Sequence, residues 1–238
     1  MIMMIAIEEK SMVIKKAFAL LVLLVGIALF FLALPRVRAA FNYLPVDAVI
    51  EKINNRESLD DEKFAELIEI AQTSISIDDN PHYWEGLSGL FLYQAQKDDL
   101  SKEAGINWLK QAKHSIEQSL ARSPANADLW YSLSVVYFLL DLPPEQMVKM
   151  LVMSIITDPN ATGILMQRLN LCLQYFYLFE DDDIDLLRAQ VLTAWSVSSV
   201  DFLSTVANAQ NMSIIWLLLA DKDSSVLKEM VETLEKNH

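Results

Sequence analysis

Three stretches of the chain carry the same punctuation: Ser76-Ile77-Asp78-Asp79-Asn80-Pro81, Ser119-Leu120-Ala121-Arg122-Ser123-Pro124 and Ser154-Ile155-Ile156-Thr157-Asp158-Pro159. Each runs Ser, then Ile or Leu, two free positions, a helix-capping residue and Pro. Proline cannot continue a helix, because it lacks the N–H and restricts the residue before it. It is welcome in the first turn of the next helix, where that N–H has no partner anyway. The two Pro-to-Pro intervals are 43 and 35 residues. Repetition on this scale marks stacked helix pairs, in which no unit can bury its apolar face without its neighbours. The pattern names an architecture that mostly binds things, and it names no reaction.

Composition agrees with helices. Glycine occurs only 5 times, few long runs alternate with period two, and Leu, Ala, Met, Glu and Gln are plentiful. An all-α fold follows. Apolar residues reach 53%, and one segment explains much of that. Ala17 through Leu34 is eighteen residues without a charge, between Lys15-Lys16 and Pro35, Arg36 and Arg38. A membrane span needs about 20 apolar residues and no fewer than about 17. Two readings fit. One is an uncleaved anchor. The other is a secretory signal peptide processed after Val37-Arg38-Ala39. The apolar core exceeds the ~7–15 residues usual for a signal peptide, and Arg36 and Arg38 crowd the cut, which favours the anchor. Lys10, Lys15 and Lys16 outnumber the two arginines on the far side. The positive-inside rule then places the N-terminus in the cytoplasm and the rest of the chain outside it.

Past the anchor, 14 basic and 30 acidic residues remain, a net charge of −16. Such a field repels phosphate backbones and anionic headgroups, so nucleic-acid binding and attachment through a basic patch are both disfavoured. Cys172 is the single cysteine, so no intrachain disulfide can form. Its apolar neighbours read it as a small buried hydrophobe.

The chain divides on this reading into the anchor with its flanks (1–38), a linker and short helix (39–59) and a helical domain (60–238). Phe41 to Pro45 read as linker, and Asp47 to Asn55 as a brief helix. Asp60 or Asp61 caps a helix whose apolar face is Phe64, Leu67, Ile68, Ala71 and Ile75. Asn80-Pro81 opens the next, and further helices run from about Ser101 to Arg122, from Asp128 to Leu140, and from the Pro143-Pro144 turn to Asp158. Beyond them, helices are expected near 161–179, 184–199, 201–219 and 223–236. The run from Ile214 to Ala220 is too short to span a membrane and reads as a buried helix.

Trp130, Leu133, Ser134 and Tyr137 fill the large, Leu, small, Tyr scheme at steps of 3, 1 and 3. Trp84, Leu87, Ser88 and Phe91 fill it again. This spacing resembles the first helix of a tetratricopeptide (TPR) unit, although Ser stands where that unit usually has Gly. The resemblance implies a TPR-like stack of antiparallel helix pairs behind one N-terminal transmembrane helix. A wider resemblance runs from about residue 80 to 196. It joins the anchored N-terminus and the W-x-x-L-S-x-x-Y helix to Met153 through Asn160, the Arg168-Leu169 helix, and Leu187-Arg188-Ala189-Gln190-Val191 with Ala194-Trp195. The chain thereby resembles the VpsP-type polysaccharide biosynthesis proteins of Gram-negative exopolysaccharide clusters. That resemblance implies an inner-membrane, single-pass protein with a periplasmic C-terminal domain. Its partners would be proteins of an envelope polysaccharide machine, and also glycan. It carries over no catalytic residue.

Candidate chemistry is sparse. Glu180, Asp181, Asp182, Asp183 and Asp185 form the densest acidic cluster, but lack the Gly turn and distal Glu of a calcium loop. They suit a helix N-terminus instead. His82, His114 and His238 have no spacing that makes a zinc site. No Gly-rich phosphate loop or nucleophile elbow occurs. No catalytic, cofactor-binding or metal-ligating residue is singled out. Arg168, beside an apolar face, reads as half of a structural pair with a carboxylate. Asn160-Ala161-Thr162 and Asn211-Met212-Ser213 match glycosylation sequons, as chance often provides. Trp84, Tyr131 and Trp195 could line a groove but at helical spacing read as core. On TPR geometry the partner-binding groove would take His82, Glu85, Asp128 and Tyr131. Two function classes follow. The favoured one is a non-enzymatic membrane-anchored adaptor in exopolysaccharide biosynthesis or export. The other is an envelope glycan hydrolase or lyase working through a carboxylate pair.

Overall fold

The computed structural model describes residues 2–55, 57, 61–98, 102–206 and 209–236. Among these, every regular element is helical: α1 (Ile2–Asn54), α2 (Asp61–Ile77), α3 (Pro81–Lys97), α4 (Glu103–Arg122), α5 (Ala127–Leu139), α6 (Pro144–Thr157), α7 (Leu165–Gln174), α8 (Ile184–Val197), α9 (Ser199–Val206), α10 (Ala209–Leu219) and α11 (Ser224–Lys236). The Asp60 cap, the helix start at Ser101, His238 and the side chain of Leu234 lie outside the described residues. The chain forms two compact units, Met1–Gly86 and Leu87–His238, and the boundary falls inside α3.

In the first unit the expected linker at Phe41–Pro45 is corrected. α1 runs unbroken through Pro35 and Pro45. Each proline deletes one backbone hydrogen bond and crowds the carbonyl four residues back, at a cost of about 3 kcal/mol. Burial offsets that cost. Ala39, Tyr43 and Val46 share one face of the helix and are almost completely buried. The Tyr43 ring lies 4.5 Å from that of Tyr83. α2 buries Phe64, Leu67 and Ala71 of its expected apolar face, while Ile68 and Ile75 are half-buried and Ser74 is buried beside them. Asn80 caps α3 as expected, its Oδ1 accepting the His82 backbone N–H at 3.0 Å, with Pro81 at the first helical position.

In the second unit the repeated punctuation is kept only in part. Ser119 and Ser154, both five residues before a proline, are buried between helices. Their counterpart Ser76 in the first unit is exposed and bonds to the Thr73 carbonyl. Pro124 does not open α5. Asn126 caps it, accepting the Leu129 N–H at 3.1 Å, while the Pro124 carbonyl takes the Trp130 indole N–H. α5 ends in a left-handed residue, Asp141 (φ 51°), with the Leu142 N–H bonded back to Tyr137 across the last turn.

The expected helix at 161–179 is shorter. An Asx turn, with the Asn160 N–H on the Asp158 carboxylate, delays α7 to Leu165, and 3-10 turns at Phe176–Leu178 and Asp181–Asp183 follow it. The expected helix at 201–219 is two, α9 and α10, with the Asn211 side chain donating to the Thr205 carbonyl at the end of α9. The apolar run in α10 is half core and half surface. Ile215, Leu218 and Leu219 are buried, while Trp216 and Leu217 are exposed.

Candidate functional site

Three features of the described surface and interior bear on function. The first is the apolar half of α1. Phe18–Asn54 is the one helical stretch among the described residues long and apolar enough to cross a membrane, and none of its most apolar eighteen-residue window is covered by protein. At ~1.5 Å per residue, the eighteen uncharged residues from Ala17 to Leu34 measure about 27 Å, close to the ~30 Å hydrocarbon core. Phe18, Phe30, Phe31 and Leu32 are each more than 60% exposed. In water that surface would be a standing drive to associate.

The second feature is an open polar cleft of about 590 Å³ in the second unit, between the start of α7 and α9. Gln167 and Asn170 present amides, Thr162, Ser204 and Thr205 hydroxyls, and Asp201 the one carboxylate of the lining. Such groups suit hydrogen bonds to neutral polar ligands. Two-carboxylate glycoside hydrolysis needs an acid and a base facing each other across a cleft, which this lining does not supply. No group of three or more His, Cys, Asp or Glu is placed to hold a metal ion among the described residues.

The third feature is buried Arg168 on α7, and its expected carboxylate partner is a correction. Nη1 donates to the Ser154 carbonyl (2.8 Å), the Ser154 hydroxyl (3.0 Å) and the Asp158 carbonyl (3.0 Å). Nη2 donates to the Pro159 carbonyl (3.2 Å) and to Gln190 Oε1 (2.6 Å). Gln190 Nε2 also donates to Pro159 (2.8 Å). The guanidinium therefore sits on the C-terminal carbonyls of α6, the negative end of its dipole. Burial lowers the Arg168 pKa, and arginine stays charged regardless. Cys172, fully buried nearby, has its thiol pushed up to about 12 by the same loss of water, so it is inert.

The four projected groove residues are placed as follows. His82 is exposed in the first turn of α3, its Nε2 2.8 Å from Asp47 Oδ1, and Glu85 is one turn further along. Both belong to the first unit. Asp128 is exposed in the first turn of α5, and Tyr131 is one turn on, half-buried, in the second unit. Tyr131 lines a narrow, mostly apolar cavity of about 190 Å³ with Leu92, Leu109 and Val135. Burial raises its phenol pKa.

The acidic cluster behaves as expected for a helix start. Asp181–Asp183 form the turn before α8, and burial with neighbouring Glu180 raises the Asp183 pKa. Asp185 is held low by Lys222, at 3.0 Å, and by Arg188. Arg188 was part of the sequence resemblance but had no assigned role. Its Nε donates to the Leu218 carbonyl at 2.6 Å, closing the C-terminus of α10. The polar cleft also escaped sequence reasoning, because Thr, Ser, Asn and Gln carry no motif. The sequence matches no protein-family model and no curated protein.

Proposed function

We propose that the protein is a membrane-anchored, non-enzymatic scaffold in the biosynthesis or export of a surface polysaccharide. It is a single-pass inner-membrane protein with its helical units in the periplasm, and it holds protein partners of that assembly machine on a TPR-like surface. The observation that carries the anchor is the uncovered apolar length of α1. The TPR-like stacking is supported by burial at the matched positions. Leu133, Ser134 and Tyr137, and Leu87, Ser88 and Phe91, are all buried. α5 and α6, joined by a short Pro143-Pro144 turn, pack closely as such a pair would. The polysaccharide context rests on the resemblance over residues 80–196. The polar cleft at Asp201 accommodates a neutral glycan on hydrogen-bonding grounds.

The test is genetic and biochemical. Loss of the protein from its host should abolish or strongly reduce surface polysaccharide. The full chain should restore it, and residues 40–238 exported behind a cleavable leader should not. Unchanged polysaccharide on deletion would remove the reading. Restoration by the soluble form would remove the need for the anchor.

A further inference from the structure

α7 and α9 each turn an apolar face to the core: Leu165, Leu169 and Cys172 are buried on one, Phe202, Leu203 and Val206 on the other. Their remaining faces line the polar cleft, whose volume of about 590 Å³ is ordinary for a ligand site. Helical steps of three and four put Met166, Gln167 and Asn170 on one wall and Asp201, Ser204 and Thr205 on the other.

The polar side chains of this cleft are unspent. Among the described residues, the Gln167 and Asn170 amides, the Thr162 hydroxyl and the Asp201 carboxylate bond to no other protein group. Local geometry decides the case of Asp201. Its backbone N–H donates to the Ser198 hydroxyl at 3.3 Å, which is half of a capping box. The other half would send the carboxylate back to the Ser198 N–H. That N–H already donates to the Ala194 carbonyl at 3.2 Å, closing α8. The carboxylate is therefore left to the cleft it lines. The Ser204 and Thr205 hydroxyls donate to the Asp201 carbonyl at 2.7 and 2.8 Å, so their oxygens remain as acceptors.

This set selects a ligand chemistry. The amides donate and accept, while the carboxylate and the two engaged hydroxyls accept. A sugar hydroxyl, which does both, matches all of them, and the two Asp201 oxygens suit a pair of adjacent ring hydroxyls. No Lys, Arg or His lines the cleft. Between Lys149 and Lys222 the chain carries only Arg168, spent on the α6 carbonyls, and Arg188, spent on the end of α10. A phosphate, sulfate or uronate would meet Asp201 with no counter-charge. A peptide would want apolar anchors, and Met166 is the single large apolar side chain of the lining. We infer that the cleft binds a neutral glycan through its hydroxyls, so that the scaffold grips the polymer itself as well as the proteins around it. The inference takes the source of its ligand from the surface-polysaccharide reading, and the chemistry of the site from the cleft alone.

The test uses the full chain in a detergent without sugar headgroups, which would compete for the cleft. The probes are neutral oligosaccharides of glucose, mannose, galactose and N-acetylglucosamine, a uronate oligosaccharide of matched length, and a polar peptide. Titration calorimetry should show binding of at least one neutral probe, with the uronate at least about tenfold weaker. Asp201→Asn should weaken the neutral probe by about tenfold, since a charge-assisted bond becomes a neutral one. A side chain added at Gly163, on the cleft wall, meets nothing within 4 Å, so Gly163→Trp should abolish binding with helicity and urea midpoint unchanged. No binding of any neutral probe, tighter binding of the uronate or the peptide, or binding that survives both substitutions would overturn the glycan site. The deletion experiment separates the two readings. Loss of polysaccharide on deletion, without glycan binding, would overturn the cleft and leave the scaffold standing. Glycan binding without a deletion phenotype would support the cleft and overturn the role in polysaccharide assembly.

Discussion

Replacing Arg168 by Met should cost the folded state about 3 kcal/mol, at the low end of the ~3–5 kcal/mol typical for removing one partner of a buried charged network. The magnitude follows from what each acceptor has left. The Ser154 carbonyl keeps its helical bond from the Asp158 N–H, and the Pro159 carbonyl keeps Gln190 Nε2. The Asp158 carbonyl keeps only a long contact, 3.5 Å, from the Ala161 N–H. Gln190 Oε1, buried and 2.6 Å from the guanidinium, is the acceptor most exposed to loss. An orphaned buried acceptor costs about 1–3 kcal/mol, and the lost charge-assisted bonds add to it. Against this stands a saving, since Arg168 Nε is itself buried without a partner, and Met ends that penalty.

Arg168→Lys should cost about 2 kcal/mol, because one ammonium cannot bridge the α6 carbonyls and Gln190 as the planar fork does. Urea unfolding of the full chain in detergent, followed by tryptophan fluorescence, reads both variants. In the double variant Arg168→Met with Gln190→Leu, the stranded acceptor is gone. Its cost should fall short of the sum of the two single variants by at least ~1 kcal/mol. A loss below ~1 kcal/mol for Arg168→Met, or additive single costs, would show that the network carries little of the packing of α6, α7 and α8.

Three further outcomes are expected. Gly86→Ala drives a Cβ into the buried Tyr43 hydroxyl, so it should destabilise the first unit by about 1–3 kcal/mol, and adding Tyr43→Phe should recover part of that loss in the same urea titration. Asp141→Gly relieves a left-handed residue at the end of α5 and should raise stability by about 0.5–1 kcal/mol, visible as a higher melting temperature. Asp183 has its folded-state pKa raised, so folding favours its protonated form, and the stability this gives at low pH is lost as pH rises through the raised value. Asp183→Asn should therefore raise the urea midpoint at pH 7 and leave it unchanged near about pH 3, where both forms are neutral.

How much of this was legible in the sequence depended on whether the signal was local. Asn80-Pro81 is a cap and a first-turn proline, and both act through their own backbone, so that reading held. Pro124 and Pro159 look the same in one dimension. There the competing polar groups decide: Asn126 outbids Ser123 as the cap, and the Asp158 side chain holds a turn that postpones α7. The apolar spacing of α2 found Phe64, Leu67 and Ala71 of its buried face, because helical period and burial are directly linked, but Ile68 and Ile75 at its edge stay half-buried. Arg168 was misassigned because pairing with a carboxylate is the common fate of a buried guanidinium. Nothing in its neighbours announces that the carbonyls of a helix fourteen residues upstream will serve instead. The break expected at Phe41–Pro45 failed for a related reason. Proline was weighed as a local breaker, while the burial of Ala39, Tyr43 and Val46 is supplied by residues from another part of the chain.

That last failure matters most for what the protein can do. A linker after Leu34 would have left the folded body free to wander from the membrane. Instead the helix whose apolar half is long enough to span a bilayer is already core by Ala39, five residues past Leu34, which is about 7.5 Å of helical rise. On the anchored reading proposed above, the first unit would sit within roughly a turn and a half of the bilayer surface. Arg36 and Arg38 fall in that interval, and on the same reading their charge would lie at headgroup depth and resist sliding of the span in either direction. Arg36 also reaches Asp78 at the end of α2, at 3.7 Å. An exposed pair of this kind adds little stability. Its use is positional, since it ties α1, just past its apolar half, to the end of α2 within the first unit. On the scaffold reading proposed above, the first unit would then meet other membrane-bound components at a nearly constant height.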